Sequence, residues 1–202
     1  WGRLRHMCQL SVRDFQAASP VESLAFSQAG TFITGGWQGR AQIWNAASGE
    51  SLQTLTHGEL SFVHAVALSP DGTLAATGSN DRAGGFLRVW DTRTGQQVRK
   101  LEGHQDAVAS LAFSQDGKRL LSGSWDHTAK LWDLETGRVV RTFAGHRDWV
   151  WAAAFCYRWD ANGRPLPEER IVTASQDGFA IVWQLDKAET DPGAMSPAFR
   201  GH

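Results

Sequence analysis

The sequence repeats itself four times along its length, and this repetition constrains the fold more than any other feature. Each unit contains an alternating apolar segment, then a segment of small residues with glycine, then a tryptophan followed by a turn. The four tryptophans are Trp44, Trp90, Trp132 and Trp183, at intervals of about 42 to 51 residues. A chain of such units is expected to fold as a row of similar structures, each packed on the next.

Within each unit, apolar and polar residues alternate over short runs separated by turns rich in glycine, aspartate, asparagine and serine. A period of two residues indicates β-strands. Tight turns joining two strands are indicated by "SQAG" at 27–30, "SPDG" at 69–72 and "SQDG" at 114–117. No segment sustains an apolar stripe of helical period, so we expect no long helix. Four strands in a unit of this length predict an all-β chain of four-stranded antiparallel sheets, arranged as β-propeller blades.

The units resemble the WD40 repeat, whose signature is a Gly-His pair near the start of the unit and a Trp-Asp pair near its end. The third unit matches most closely, with Gly103 and His104, then Trp132 and Asp133. The first unit is degenerate, because Ala17 stands where the histidine belongs. The resemblance implies about four propeller blades that form part of a larger ring, with seven blades as the common arrangement and a four-bladed ring as the alternative.

The resemblance also divides the chain into blades. Blade 4 is interrupted by an insertion at 156–170, which is charged and includes Trp159. The full division is residues 1–16 as the last strand of a preceding blade, 17–55 as the degenerate blade 1, 56–101 as blade 2, 102–143 as blade 3, 144–200 as blade 4, and 201–202 as the start of a further repeat.

Serine, histidine and aspartate recur at fixed positions before the tryptophans, and these are the residue types of a hydrolase triad. The WD40 resemblance implies instead a structural tetrad in each regular blade, made of a loop histidine, a strand Ser or Thr, a turn aspartate and the strand tryptophan. The three tetrads are His57, Thr77, Asp81 and Trp90; His104, Ser122, Asp126 and Trp132; and His146, Thr173, Asp177 and Trp183.

A catalytic triad normally occurs once in a chain, beside an oxyanion hole and a substrate cleft. Here the set occurs three times, and two copies carry threonine in place of serine. A buried indole N–H needs an acceptor, and a hydroxyl can accept from it while donating to an imidazole. We therefore interpret the sets as a structural scaffold and expect no catalytic residue, no metal site and no cofactor.

By resemblance, two kinds of position on the top face of a propeller contact partners. The first is the residue before the turn aspartate, and the second is the pair that flanks the valine of the innermost strand. The predicted partner-binding residues are Trp37, Glu22, His64, Asn80, Trp125, Trp149, Trp151 and Gln176. The same flanking positions include Pro20, Phe62, Ala107 and Ala109. The alternative interpretation is that these tryptophans pack between blades or cap the central channel.

Composition limits the remaining classes of function. The formal net charge is −1, which gives no electrostatic reason to expect nucleic-acid binding. The two cysteines, Cys8 and Cys156, are far apart and form no metal-binding motif. No apolar run has the length of a membrane span, so we expect neither a membrane partner nor a membrane location, and we assign the chain to the cytoplasm.

Three functional hypotheses follow. The first is a non-catalytic scaffold that binds a protein or peptide on the top face of the propeller. The second is a sensing or substrate-docking module of a larger signalling enzyme, such as a bacterial protein kinase with a WD40 tail. The third is a propeller hydrolase or lyase, for which Glu22, His64 and Asn80 are the candidate polar cluster.

Overall fold

The structure is a computed structural model that describes residues 15–17, 19–58, 61–81, 84–156, 170–185 and 199–200. These residues form sixteen β-strands in four antiparallel sheets of four strands each, and no helix occurs among them. The all-β prediction is therefore confirmed. The segments 1–14, 157–169 and 201–202 lie outside the described residues, as do the predicted strand of a preceding blade, most of the insertion and the start of a further repeat.

The first two sheets contain strands that follow one another in the chain. Blade 1 consists of β1 (Val21–Phe26), β2 (Thr31–Gly36), β3 (Arg40–Asn45) and β4 (Ser51–Thr56). Blade 2 consists of β5 (Phe62–Leu68), β6 (Leu74–Asp81), β7 (Gly84–Asp91) and β8 (Gln97–Glu102).

The last two sheets repeat this arrangement. Blade 3 consists of β9 (Val108–Phe113), β10 (Arg119–Ser124), β11 (Thr128–Asp133) and β12 (Val139–Ala144). Blade 4 consists of β13 (Val150–Cys156), β14 (Arg170–Ser175), β15 (Phe179–Gln184) and β16 (Phe199–Arg200). Each sheet is a meander in which consecutive strands are neighbours.

Because every sheet is an antiparallel meander, its connections alternate between two faces. The face that carries the β2–β3, β6–β7, β10–β11 and β14–β15 turns, together with the links between blades, is called the upper face here. The opposite face carries the turns at 27–30, 69–73 and 114–118 and is called the lower face. At the lower face Gly72 and Gly117 adopt φ angles of 73° and 68°, which suit glycine in a tight turn.

The first strand of each blade lies against the first strand of the next, in the order β1, β5, β9 and β13. Apolar side chains of one blade pack on those of its neighbour. Val63 and Val66 of blade 2 share a core with Ile33, Ile43 and Leu55 of blade 1. Equivalent clusters join blade 2 to blade 3 and blade 3 to blade 4. Each blade therefore depends on its neighbour for burial, as in other repeat proteins.

The burial of the innermost strand differs between the first blade and the second. Phe26 at the end of β1 is 65% exposed, whereas Leu68 at the equivalent position of β5 is 7% exposed. Leu68 lies in the core shared with blade 1. The ring of Phe26 contacts that of Phe32 in its own blade, at 5.4 Å between ring centroids.

Polar side chains also join neighbouring blades near the lower face. Gln53, Arg99 and Arg141 occupy equivalent positions on the outermost strands β4, β8 and β12. Each donates to a backbone carbonyl at the end of the third strand of the next blade or just after it. The acceptors are Arg93, Leu134 and Gln184, at 3.0, 2.7 and 2.7 Å. These links are not predicted from the sequence, because each accepting carbonyl belongs to the backbone and lies 35 to 43 residues away from its donor.

The final aspartate of the repeat signature closes a lower-face turn. Asp133 ends β11, and its Oδ1 accepts hydrogen bonds at 2.7 Å from the backbone N–H and the hydroxyl of Thr136. These hydrogen bonds hold the pKa of Asp133 below its ordinary value. Asp91 makes the same contacts with Thr94, and Asn45 accepts from the backbone of Ser48.

Candidate functional site

The tetrad of blade 3 is a single chain of hydrogen bonds that ends near the upper face. The indole N–H of Trp132 donates to Ser122 Oγ at 2.8 Å. Ser122 Oγ lies 2.7 Å from His104 Nε2, and His104 Nδ1 lies 2.7 Å from Asp126 Oδ2. In one consistent assignment, the indole donates to the hydroxyl, the hydroxyl donates to the imidazole, and the imidazole donates to the carboxylate. Burial lowers the pKa of His104, although Asp126 opposes this shift.

Asp126 completes this chain and also fixes the loops around it. Burial disfavours its charged form, but hydrogen bonds from His104, Thr128 and the backbone N–H of Gln105 outweigh that effect and hold its pKa well below the ordinary value. Asp126 is therefore a charged acceptor shared by two loops. Its removal would leave several donors without an acceptor.

Blade 4 reproduces the geometry of blade 3. Trp183 Nε1 donates to Thr173 Oγ1 at 2.8 Å, and Thr173 Oγ1 lies 2.7 Å from His146 Nε2. His146 Nδ1 lies 2.9 Å from Asp177 Oδ2, which also accepts from the backbone N–H of Arg147. Threonine thus takes the place of serine without changing the order of the contacts.

Blade 2 differs from blades 3 and 4 at the end of the chain of hydrogen bonds. Trp90 donates to Thr77 at 2.8 Å, and Thr77 contacts His57 Nε2. His57 Nδ1, however, lies 3.0 Å from the hydroxyl of Ser79. Burial, together with the nearby charge of Arg88, lowers the pKa of His57 to about 3.

Blade 2 also has a longer hairpin than blades 3 and 4. Strands β6 and β7 each have eight residues, whereas β10 and β11 each have six. Asp81 is paired with Gly84 at the end of the hairpin, whereas Asp126 lies in a turn. The Asp81 side chain lies outside what the structure describes. Ser79 was not predicted, although the repeat pattern signals it, since Ser124 and Ser175 occupy the equivalent positions.

Blade 1 retains only part of the set. Trp44 donates to Thr34 at 3.0 Å, and Ala17 lies beside a small surface cavity that Thr34, Arg40 and Gln42 also line. Gln38 replaces the turn aspartate and adopts a φ of 62°, which is uncommon for a residue other than glycine.

The burial of the tetrad hydroxyls shows what these sets can do chemically. Ser122, Thr77 and Thr173 are each 0% exposed, so none of their hydroxyls can reach a substrate. Each hydroxyl accepts from an indole and contacts an imidazole inside its blade. This arrangement satisfies buried polar groups and fixes the packing of one blade.

A second group of aromatic side chains lies on the upper face. Trp125 and Trp149 stack with their ring centroids 4.6 Å apart and an interplanar angle of 15°. Trp151 meets both rings edge-on, at 5.6 Å from Trp125 and 5.7 Å from Trp149. The predicted aromatic positions of blades 3 and 4 are thus in contact with one another.

The aromatic contacts continue into blades 2 and 1. His64 lies 5.4 Å from Trp125, Phe62 lies 5.9 Å from His64, and Trp37 lies 6.0 Å from Phe62. A continuous row of rings therefore crosses all four blades. We call this row the aromatic ribbon, and its members are Trp37, Phe62, His64, Trp125, Trp149 and Trp151.

Polar side chains accompany the aromatic ribbon. Glu22 accepts from Trp37 Nε1 at 2.5 Å through Oε1, and its Oε2 lies 2.9 Å from His64 Nδ1. Asn80 Oδ1 lies 3.3 Å from His64 Nε2. In blade 4, Trp151 Nε1 donates to Gln176 Oε1 at 3.2 Å. The eight predicted partner-binding residues are thus joined by ring contacts and hydrogen bonds.

The backbone explains why these positions meet. The first strand of every blade contains a one-residue irregularity next to its upper-face valine, which leaves one extra residue outside the regular pairing. A bulge of this kind changes the direction of a side chain. The extra residues are Glu22, His64, Ala109 and Trp151.

Backbone hydrogen bonds then bring the two kinds of predicted position together. Trp125 N–H donates to Ala107 C=O at 2.9 Å, and Gln176 N–H donates to Trp149 C=O at 2.9 Å. In blade 2, Asn80 is paired with Phe62 within the sheet. The residue before the turn aspartate is therefore held beside the residue that precedes the strand valine.

The members of the aromatic ribbon differ in exposure. Trp37 and Trp151 are 48% and 46% exposed, whereas Trp125 and Trp149 are half-buried by their stacking. The indole N–H of Trp125 is covered and has no hydrogen-bond partner among the described residues. Trp125 therefore packs against its neighbours, whereas Trp151 presents a large surface.

Glu22, His64 and Asn80, the candidate catalytic cluster, lie together within the aromatic ribbon. Both ring nitrogens of His64 face oxygen atoms, one from the carboxylate and one from the amide. No hydroxyl or thiol contacts this ring in the part of the chain that the structure describes. Within that part, no group of histidine, cysteine and acidic residues has a metal-binding arrangement, and no helix could span a membrane.

Comparison with known families identifies the repeats. The sequence profile of the WD40 family, described as "WD domain, G-beta repeat", matches residues 9–45, 49–91, 95–133 and 137–184. The chain belongs to the WD40 repeat family. Each matched segment contains the first three strands of one sheet, and the last three segments also contain the outermost strand of the sheet before it. The predicted family and the predicted all-β fold of four-stranded blades are both confirmed.

Several curated WD40 proteins are similar to the chain. It is 33% identical over 143 residues to a periodic tryptophan protein 2 homolog of Neurospora crassa, covering 71% of the chain and 15% of that protein. It is 32% identical over 118 residues to a guanine nucleotide-binding protein subunit beta of Arabidopsis thaliana, covering 54% of the chain and 30% of that protein. It is 38% identical over 107 residues to the small ribosomal subunit protein RACK1y of rice, covering 50% of the chain and 30% of that protein. The matches therefore span only a minor part of each of these relatives.

Proposed function

We propose that this chain is a non-catalytic protein-interaction module that binds a protein or peptide on its upper face. The observation that carries the proposal is the aromatic ribbon, which crosses four blades and includes the exposed side chains of Trp37 and Trp151. Tryptophan is enriched among the residues that dominate binding energy at interfaces, because it buries a large area and loses few rotamers.

The tetrads support a non-catalytic role. Their hydroxyls are fully buried and take part in blade packing, so they are not available as nucleophiles. His64 is the histidine of the aromatic ribbon, and its ring nitrogens are directed at Glu22 and Asn80. A general base requires a nitrogen within reach of a substrate proton.

The names of two relatives point in the same direction. One is a subunit of a guanine nucleotide-binding protein, and another is a protein of the small ribosomal subunit. Both names describe components of larger assemblies. As part of the proposal, the present chain is likewise a component of a larger assembly.

The proposal is tested by affinity capture with the full chain and with a Trp37→Ala/Trp151→Ala variant. A Val140→Ala variant serves as the control, since Val140 is 58% exposed on the outermost strand of blade 3 and lies away from the aromatic ribbon. We expect the double variant to retain less than a tenth of each specific partner and the control to retain it fully. Equal recovery of the same proteins by all three chains would contradict binding at this face.

A further inference from the structure

One acidic side chain is fixed within the aromatic ribbon. The carboxylate of Glu22 is oriented by two neighbours, because Trp37 Nε1 reaches Oε1 and His64 Nδ1 reaches Oε2. The Glu22 side chain is still 33% exposed, so part of it faces solvent. Each carboxylate oxygen can accept more than one hydrogen bond, so both oxygens can still accept from a bound molecule.

The surroundings of Glu22 on the upper face are more acidic than basic. The acidic residues at or next to the described upper-face turns are Glu22, Asp106, Asp126, Asp148 and Asp177, and the basic ones are Arg40 and Arg147. Asp106 is exposed, whereas Asp126 and Asp177 are already engaged by tetrad histidines. Charge complementarity therefore favours a positively charged partner segment on this face.

The tryptophans themselves do not enclose a site for a cation. Their ring centroids lie only 4.6 to 5.7 Å apart, so the three indoles contact one another and leave no space between them. They present an apolar surface, at which Trp151 is the most exposed member. Beside the rings of Trp37 and His64, the oriented carboxylate of Glu22 can pair with a positive charge.

These observations define two neighbouring subsites, and we propose that they bind an extended basic peptide segment. An arginine or lysine side chain of that segment pairs with Glu22, and a large apolar side chain packs against Trp151. The contacts from Trp37 to Trp151 proceed in steps of 5.4 to 6.0 Å, which an extended segment of about seven residues can follow at ~3.3 Å per residue. This inference rests on the proposed function, since it names the chemistry of the partner.

A nucleic acid is the competing occupant, because aromatic side chains can also stack on bases. Its phosphates, however, would lie against Glu22, Asp106 and Asp148, whereas nucleic-acid sites place lysine and arginine there. The acidic excess therefore favours a basic peptide over a polyanion.

The test begins with a displayed library of random heptapeptides, selected on the full chain and on the Trp37→Ala/Trp151→Ala variant. We expect peptides enriched on the full chain to carry lysine or arginine close to an aromatic or large aliphatic residue. A selected peptide is then synthesised with its basic residue intact and with glutamine in its place. Binding of both peptides is measured by fluorescence anisotropy.

The decisive measurement is a double-mutant cycle with Glu22→Gln, which keeps the shape of residue 22 and one acceptor oxygen but removes the charge. We expect this variant to bind the basic peptide about tenfold more weakly and to bind the glutamine peptide as the parent chain does. Glu135→Gln on the lower face removes an exposed acid elsewhere and should change neither affinity.

The outcomes separate the two proposals. If the library yields no peptide that depends on Trp37 and Trp151, the proposed function at this face fails. If such peptides appear but lack basic residues, or bind Glu22→Gln unchanged, only the inference about Glu22 is overturned. Tighter binding of a uridylate oligonucleotide than of any selected peptide would overturn it in favour of a nucleic-acid partner.

Discussion

The blade interiors and the aromatic ribbon both contain tryptophan and histidine, but the interior residues recur from blade to blade, whereas the upper-face residues differ. Inside blades 3 and 4, equivalent positions carry the same kinds of side chain, and the contacts of Trp132 recur at Trp183. On the ribbon, the same backbone bulge is repeated in every blade but carries a different residue each time. Those residues are Glu22, His64, Ala109 and Trp151.

This difference shows which part of each repeat solves a common structural problem. Every blade must bury an indole N–H and anchor its upper loop, so blades 3 and 4 use nearly identical sets. The bulge positions meet no such common requirement, since an alanine and a tryptophan are both accommodated there. Side chains at these positions are free to differ, and the differences give each described blade a different contribution to the upper face.

The largest expected effect comes from breaking a complete tetrad. Asp126→Ala removes the acceptor of His104, Thr128 and the Gln105 N–H, and it leaves partly buried donors unsatisfied. We expect the free energy of unfolding to fall by about 2–3 kcal/mol, measured by urea denaturation. Asp126→Asn retains an amide oxygen as acceptor and should lose less. An unfolding curve for Asp126→Ala that matches the parent chain would contradict the structural role of the tetrad.

The tetrad of blade 2 tests the interior set in a second way. The folded-state pKa of His57 is about 3, below the ordinary 6.5 of the unfolded chain, so folding favours the neutral imidazole. The contribution of His57 is therefore complete above pH 6.5 and is lost as the pH falls toward 3. When the pH is lowered from 6.5 to 4.5, the parent chain loses the contribution of His57, whereas His57→Gln has none to lose. We therefore expect the free energy of unfolding of the parent chain to fall by about 1–2 kcal/mol more than that of His57→Gln.

The measurement for His57→Gln is urea denaturation at several pH values within that window. The window ends at pH 4.5 because Asp126 and Asp177, whose pKa values are lowered, contribute to the pH dependence only at lower pH. His104 also has a lowered pKa, so it contributes to the pH dependence of the free energy of unfolding in both chains. Identical slopes for the two chains would show that His57 is not held neutral by burial.

Much of the fold could be predicted because its determinants are local and repeated. Alternating apolar runs, small-residue turns and one tryptophan per unit recur four times. A pattern that occurs by chance in one unit is not repeated in the other three, so the recurrence identifies the strands and turns. The WD40 motif also selected residues that the structure brings together, such as His104, Ser122 and Asp126. The upper-face positions were chosen in the same way, by their distance from a motif residue.

The remaining features depend on contacts that leave no local pattern. Three extra residues in blade 2 are compatible with a longer loop or with longer strands, and only the pairing of β6 with β7 distinguishes them. Likewise, the stacking of Trp125 on Trp149 joins two blades, and alternation along one strand does not reveal it.

The smallest expected effect compares two tryptophans, one from each region. The N–H of Trp132 donates to Ser122, whereas the covered N–H of Trp125 has no partner among the described residues. Phenylalanine in place of tryptophan keeps an aromatic ring and removes the donor. Trp132→Phe should therefore cost about 1–2 kcal/mol, whereas Trp125→Phe should change the free energy of unfolding by less than about 0.5 kcal/mol.

Urea denaturation of the two phenylalanine variants under one set of conditions makes the comparison direct. The two variants lose the same atoms, so a difference between them reports the environment of the N–H group and the fit of the smaller ring. If Trp125→Phe lost as much as Trp132→Phe, the Trp125 indole would be an essential part of the packing between blades 3 and 4. The aromatic ribbon would then be, at its centre, an extension of the blade interior.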